Sequence, residues 1–164
     1  MTIRAATTAD LPAIADIYAH YVLNSVASFE LEPPAAEEWQ NRFANVAAAG
    51  LPFLVAEREG RVAGYGYCLP WKARPAYQGT VEDSIYLAPW ATGQGAGKEL
   101  LGALLDASRV AGVREVIAVI ADSGDQSSVA LHKKLGFDEA GRLRQVGHKH
   151  GRDIDTVLLQ CSLR

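Results

Sequence analysis

Three glycines at alternate positions, Gly93, Gly95 and Gly97, suggest chemistry more clearly than any other feature of the sequence. An apolar run precedes them and leucines at helical spacing follow them, so the loop is predicted to join a strand to a helix. Glycine lets backbone N–H groups approach an anion closely, and the start of a helix carries positive partial charge. Lys98 adds a positive side chain at the rim. The loop therefore predicts a site for a phosphate-bearing ligand, with a turn that binds nothing as the alternative.

The spacing of the glycines excludes two nucleotide-binding motifs. A Walker A loop requires Gly-x-x-x-x-Gly-Lys-Ser/Thr, but its first glycine would fall on Thr92 and its hydroxyl residue on Glu99. A dinucleotide loop requires Gly-x-Gly-x-x-Gly, whose third glycine would fall on Lys98 or Leu100. Neither motif fits, so the phosphate must belong to another kind of ligand.

Charged residues come just before this loop. On the strand predicted over residues 81–87, side chains alternate between the two faces, so Glu82 and Ser84 share one face and Asp83 lies on the other. The segment before it, residues 70–79, is rich in aromatic and basic residues. It includes Arg74, whose guanidinium can hold a carboxylate through two hydrogen bonds. The same segment could instead serve loop packing or a subunit contact.

The elements that must position these residues follow from hydrophobic periodicity. Helices are predicted after Thr7, which has Asp10 three residues on as in a capping box, and after the Pro33-Pro34 pair. Two more are predicted over 96–111 and 127–135, and residues 24–34 are predicted to be irregular. Strands are predicted over residues 2–6, 52–57, 62–69, 81–87, 116–120, 137–145 and 153–161.

Two of these elements carry specific packing predictions. In the helix over 96–111, Ala107 is expected to face inward together with the four leucines at 100, 101, 104 and 105. The continuous apolar run from Val116 to Ile120 is expected to be covered on both faces. Hairpins combined with a crossover helix predict an α+β fold with a mixed sheet, in a single domain over residues 1–164.

Composition limits the class of function. The formal net charge is −3 and no long basic run occurs, so nucleic acid and anionic membranes are not expected partners. Cys68 and Cys161 lack the spacing of a metal site, so no metal is predicted and a reduced, cytoplasmic protein is expected. No signal-peptide pattern and no apolar run of about 20 residues is found.

Two segments resemble the signatures of the GNAT superfamily of N-acetyltransferases. Residues 87–101 resemble its acetyl-CoA loop, in which Arg or Gln precedes Gly-x-Gly-x-Gly/Ala, and residues 125–137 resemble its Asn-x-x-Ser helix that ends in Gly-Phe. Thr92 stands where Arg or Gln is usual and Asp125 where Asn is usual, which puts one contact of each motif in doubt. The resemblance implies an α/β sandwich with the acyl-CoA N-acyltransferase fold: a mixed, mostly antiparallel seven-stranded sheet flanked by about four helices.

The resemblance also implies acetyl-CoA as cofactor. The backbone of the glycine loop would hold the pyrophosphate, the strand before it would lie beside pantetheine, and further contacts would come from the second signature. The cofactor-binding residues implied are Ile85, Tyr86, Leu87, Gly93, Gln94, Gly95, Ala96, Gly97, Lys98, Asp125 and Lys134.

A narrower resemblance connects residues 70–77, 80–86 and 147–151 with phosphinothricin and methionine sulfoximine acetyltransferases. It implies transfer of acetyl to the α-amino group of a small amino-acid-like amine by direct attack in a ternary complex. It also implies a homodimer in which the Lys149-His150 segment completes the neighbouring subunit's pocket. Acetylation of another amine or of a protein N-terminus, and a non-catalytic CoA-binding module, remain open.

Roles for individual residues follow from this resemblance. Glu82 would be the general base, acting through water, or would pair with a basic residue or with the substrate ammonium, and Asp83 is the second candidate base. His132 would protonate the leaving thiolate, or would be a packing histidine. The substrate-binding residues implied are Lys72, Ala73, Arg74, Glu82, Asp83 and Ser84.

Overall fold

A seven-stranded mixed sheet forms the centre of the computed structural model, which describes residues 1–164. The strands lie in the order β1-β2-β3-β4-β5-β7-β6, and every neighbouring pair is antiparallel except β4 and β5. The strands are β1 (Thr2–Ala5), β2 (Phe53–Arg58), β3 (Arg61–Pro70), β4 (Thr80–Leu87), β5 (Glu115–Ala121), β6 (Asp138–Lys149) and β7 (Arg152–Ser162).

Four helices cover the two faces of the sheet: α1 (Leu11–Asn24), α2 (Ala36–Ala48), α3 (Ala96–Val110) and α4 (Ser127–Lys134). The capping box of Thr7 and Asp10 is present and precedes α1 through one 3-10 turn. Helices α1 and α2 pack on the face that carries Tyr65, and α3 packs on the opposite face against Gly66. The predicted α+β class, the mixed seven-stranded sheet and the number of helices are therefore confirmed.

Helix α3 buries its leucines as predicted, with one difference. Ala107 is only half-buried, while Ser108 beside it is fully buried and contacts Cys68 across the interface with β3. Serine has a polar side chain and a low helix propensity, so the hydrophobic pattern predicted that its apolar neighbour Ala107 would face inward. Gly112 ends the helix with a φ of +88°, as its type predicts.

The prediction that β5 is covered on both faces is wrong. Val116 and Ala118 are buried under α3, but Val119 on the other face is 36% exposed. Helices α1 and α2 lie over β1 to β4, so they do not reach this part of the sheet. Strand β5 is apolar on both faces although one face is open. Periodicity alone cannot distinguish such a strand from one that is buried on both faces.

Strands β4 and β5 diverge, and the gap between them shapes the site. They pair only from Thr80–Glu115 to Glu82–Ile117. The N–H of Ala88 donates to the Ala63 carbonyl of β3, and successive backbone groups of a strand point to opposite edges. The N–H groups at 85 and 87, beyond the last β4–β5 pair, therefore face the gap. No helix of the chain is long and apolar enough to cross a membrane.

Candidate active site

The glycine loop has the geometry of an anion cradle. Gly93 and Gly95 have φ values of +73° and +82°, and a Cβ added to either would meet nothing within 4 Å. The backbone N–H groups of residues 93–98 donate no hydrogen bond within the chain, because they lie in the loop and the first turn of α3. Open space over unpaired N–H groups fits a pyrophosphate.

Gly97 serves packing rather than ligand approach. A Cβ at this position would lie 3.2 Å from the Leu131 side chain of α4 and 3.4 Å from that of Leu87. The third glycine therefore brings α4 against the start of α3, while the first two leave the cradle open. Ala96, which lies between Gly95 and Gly97, is fully buried.

Side chains around the loop include one that sequence patterns did not indicate. Gln94 donates to the Trp90 carbonyl at 3.1 Å and accepts a hydrogen bond from Arg58 at the end of β2. Arg58 thus brings a positive charge to the glycine loop, in addition to Lys98, which is exposed. Thr92 turns its hydroxyl to the Pro89 carbonyl at 3.1 Å, so its side chain supports the loop.

Glu82 has the properties expected of a base. Its carboxylate forms no hydrogen bond and no ion pair within the chain, although the residue is half-buried. Burial raises the pKa of Glu82 above its ordinary value, the charge of Asp83 raises it further, and the charge of Lys72 partly opposes both. A carboxylate with a raised pKa and no internal partner, at the start of the β4–β5 gap, is placed to accept a proton from a bound amine.

The basic loop stays exposed in the single chain. Lys72, Ala73 and Arg74 are all solvent-exposed, and neither charged side chain forms an ion pair. They line a groove of about 690 Å³ between this loop and the end of α3. Glu82 does not line this groove; only the effect of Lys72 on its pKa connects the two. Ser84, in contrast, shares the Glu82 face directly.

His132 and Asp83 form a buried pair behind β4. The Nε2 atom of His132 lies 2.8 Å from Asp83 Oδ2, and its Nδ1 atom lies 2.7 Å from the Ser128 carbonyl. Their side chains are 3% and 1% exposed. Since both ring nitrogens face acceptor oxygens, both must donate, which is the arrangement of an imidazolium. Asp83 lies on the opposite face from Glu82, so the expectation that it contacts substrate does not fit its position.

The environment of His132 raises its pKa. Burial lowers the pKa, and the hydrogen bond and charge of Asp83 outweigh burial, so the net direction is upward. A proton given to a thiolate would leave a ring nitrogen against an acceptor oxygen. The packing alternative is therefore the one that the geometry of His132 favours, with the ring edge-on to Phe137 at 4.8 Å.

This pair predicts a pH-dependent stability. Because the folded pKa of His132 is raised, its contribution is complete below about pH 6.5, its unfolded pKa, and is lost as pH rises through the folded value. We expect Asp83→Asn to lower the free energy of unfolding by about 3 kcal/mol near pH 5.5 and by less near pH 9. Urea denaturation at both pH values measures this, with Asp106→Asn on exposed α3 surface as control. An equal loss at both values would contradict an imidazolium at His132.

Residues of the second signature lie at the two ends of α4. Asp125, just before the N-cap Gln126, accepts the Ser127 N–H at 2.9 Å, so its carboxylate lies at the start of the helix, and this bond lowers its pKa. An ionised Asp can do this as well as an Asn. Lys134 is exposed at the last turn, three residues after the Leu131 that packs on Gly97, and its contact with cofactor stays a prediction.

Aromatic side chains pack on the Glu82 face of β4, and Tyr18, Tyr21 and Tyr65 among them were not assigned to the site from sequence patterns. Tyr86 of β4 packs against Tyr18, Tyr21 and Tyr65, with ring centroids 5.2, 5.4 and 5.7 Å away. Tyr21 also donates its hydroxyl to the Leu87 carbonyl, which faces the gap. These tyrosines fix the strand that Ile85, Tyr86 and Leu87 contribute to the site.

Comparison with known proteins agrees with this geometry. Residues 3–158 match the acetyltransferase (GNAT) domain. A phosphinothricin N-acetyltransferase of Alcaligenes faecalis is 49% identical over 99% of this chain and 82% of its own length. An L-methionine sulfoximine/L-methionine sulfone acetyltransferase of Pseudomonas aeruginosa is 38% identical over 99% of this chain and 94% of its own.

A solved structure extends the match to three dimensions. A GNAT superfamily phosphinothricin acetyltransferase from Sinorhizobium meliloti, crystallised with acetyl-CoA, has a TM-score of 0.94 and 45% identity. The alignment covers 99% of this chain and 88% of that one. The chain therefore belongs to the GNAT acetyltransferase family, whose members use acetyl-CoA as acetyl donor.

Proposed function

We propose that residues 1–164 form one N-acetyltransferase domain that moves acetyl from acetyl-CoA to the α-amino group of a small amino-acid-like substrate of the phosphinothricin, methionine sulfoximine or methionine sulfone type. One observation carries this proposal: the unpaired Glu82 carboxylate lies where β4 and β5 part, on the strand that leads to the glycine cradle. The names of the relatives supply the class of amine.

Backbone groups of β4 and of the glycine loop after it have separate roles in the reaction. Acetyl-CoA, when bound, supplies the acetyl group as an activated thioester. The N–H groups of residues 93–98 hold the pyrophosphate. The N–H groups of Ile85 and Leu87 face the gap, where they bind the pantetheine arm and stabilise the negative charge that develops on the carbonyl oxygen.

Glu82 prepares the amine for direct attack in a ternary complex. An α-ammonium is mostly protonated near neutral pH and must lose a proton before its nitrogen can attack. Two residues along a strand span about 7 Å, so an amine beside Ser84 lies one water away from the Glu82 carboxylate. The raised pKa of Glu82 makes its carboxylate a stronger base for that proton transfer than an ordinary carboxylate.

Recognition of the amino acid depends on the loop before β4. Lys72 and Arg74 have no internal anionic partner, and a guanidinium suits a carboxylate or phosphinate. Both are exposed in one chain, and a second subunit would enclose the pocket around them. The open apolar face at Val119 and the exposed Val146, 57% accessible, support a homodimer. Two buried free cysteines fit a cytoplasmic location.

His132 takes a positioning role in this proposal. It joins α4, which packs against the cradle through Leu131, to β4 through Asp83. The acid that protonates the leaving thiolate is then solvent or a water in the gap.

A panel of amines tests the proposal. Thiol release from acetyl-CoA should follow addition of phosphinothricin, methionine sulfoximine or methionine sulfone, and should be at least about tenfold slower with the carboxamide of methionine sulfone, because a charged hydrogen bond is worth about 1.5 kcal/mol or more. Faster release with peptides that carry a free N-terminus would move the assignment to protein acetylation. Cofactor binding without release on any amine would make the chain a CoA-binding module.

A further inference from the structure

The segment that joins α1 to α2 has almost no backbone support. Residues 26–34 form no helix or strand, and none of their backbone groups exchanges a backbone hydrogen bond with the rest of the chain. Fixing one residue costs about 1–2 kcal/mol in conformational entropy. The contacts of a few side chains must therefore hold this segment in place.

Those contacts come from three separate elements. The Ser28 hydroxyl lies 2.7 Å from the Tyr18 hydroxyl of α1. Glu30 forms an ion pair with Arg42 of α2. The third contact comes from the far end of the sheet, where the Lys149 ammonium of β6 donates to the Ser28 carbonyl at 2.7 Å.

Lys149 is an unusual residue to find in this position. Its residue surface is only 4% exposed, and the Ser28 carbonyl is its one hydrogen-bond acceptor. It is the last residue of β6 and points into its own chain, so Lys149 is not available to a neighbouring subunit, whereas a contact of the exposed His150 with such a pocket stays a prediction. The two-residue turn after it, His150 and Gly151 at φ +51° and +73°, sets its direction.

A second contact lies two residues earlier on the same strand. A Cβ added to Gly147 would lie 2.5 Å from two ring atoms of Phe29, so the ring occupies the space that any other residue would fill. Phe29 itself is 41% exposed. Gly147 and Lys149 thus hold one residue each of the irregular segment.

The register of the sheet places these contacts on the Glu82 face. Gly147 of β6 lies opposite Ile154 of β7. Two residues further along β7, on the same face, Thr156 lies opposite Ala121 of β5. Ala121 shares its face with Ile117, which lies opposite Glu82. In the strand order β6 lies three places from β4, and the β4–β5 gap lies between them. The Thr156 hydroxyl, on the face between them, is buried without a hydrogen-bond partner.

We propose that Gly147 and Lys149 are positioning residues for the amine acceptor: they hold residues 26–34 against the end of β6, so that Phe29 stands as a fixed wall on the Glu82 face of the sheet. The test of this inference by KM for the amine rests on the proposed function. The contacts themselves do not.

Kinetics of matched variants test the role in acceptor binding. Gly147→Ala and Lys149→Met should each raise KM for methionine sulfone about tenfold and leave KM for acetyl-CoA within about twofold, because the cradle is untouched. Gly141→Ala, also on β6 but with nothing within 4 Å of the added Cβ, should change neither. In a Phe29→Ala background, Gly147→Ala should add no further effect. An equal rise in both KM values, or additive effects with Phe29→Ala, would overturn the proposal.

A protease assay tests the contacts without any acetyl transfer. Chymotrypsin cleavage after Phe29 or Leu31 should become at least about tenfold faster in Lys149→Met than in the parent chain and in Gly141→Ala. Unchanged cleavage would overturn the positioning role even if the amine panel succeeds. Faster cleavage would sustain the contacts even if no amine in the panel were acetylated.

Discussion

Glu82→Gln is expected to lower kcat/KM for the amine by about a hundredfold to ten-thousandfold, the range that a positioned general base contributes. The amide keeps the size of the carboxylate and loses the ability to accept a proton. Burial and the Asp83 charge raise the pKa of Glu82, so kcat/KM of the parent chain should rise with pH through a limb above the ordinary carboxyl value of about 4.3. That limb should vanish in the variant.

The control for this variant is Glu37→Gln, which neutralises an exposed carboxylate in the first turn of α2. It should leave the rate and its pH profile unchanged. If Glu82→Gln kept both the rate, within about twofold, and the acidic limb, Glu82 would not be the base. A rise in KM with kcat preserved would instead assign it to binding of the substrate ammonium.

Gly95→Ala is expected to raise KM for acetyl-CoA about tenfold to a hundredfold. The φ of +82° is strained for alanine, and the added Cβ would stand in the open space over the cradle. Loss of one or two N–H contacts to a charged pyrophosphate, at about 1.5 kcal/mol each, gives this range. Initial rates at varied acetyl-CoA measure it.

Gly112→Ala is the control that separates weaker binding of acetyl-CoA from the backbone strain of placing alanine at a positive φ. Gly112 has a φ of +88° and nothing within 4 Å of an added Cβ, but it lies at the other end of the same helix. Both variants should lose similar stability, about 1–2 kcal/mol. Only Gly95→Ala should weaken cofactor binding. If both raised KM for acetyl-CoA equally, the glycine loop would be a turn that binds nothing.

Most of the correct predictions came from the spacing of residues that are close together in the sequence. The positions of the strands, the helices and the glycine loop follow from periodicity and turn residues, which act over a few neighbours. The face shared by Glu82 and Ser84 follows from alternation along one strand. Thr7 and Asp10 predicted a helix start because a capping box is also a local pattern.

Contacts between distant residues could not be predicted in this way. Asp83 meets His132 across 49 positions, and Lys149 meets Ser28 across 121. Each pairing depends on how sheet and helices pack, which no local pattern encodes. The open face at Val119 was missed for a related reason: an apolar run does not tell which side of the sheet a helix covers.

The central claim is that the chain's cleft delivers acetyl directly to an α-amino nitrogen. Mixing the protein with acetyl-CoA that carries ¹³C in its acetyl group and with methionine sulfone tests it most directly, with the position of the label read by NMR. We expect the label on the α-nitrogen of methionine sulfone and none on the protein, and we expect the labelled product to appear more slowly with Glu82→Gln. Label found on the protein, released only as acetate, or retained on CoA would contradict it.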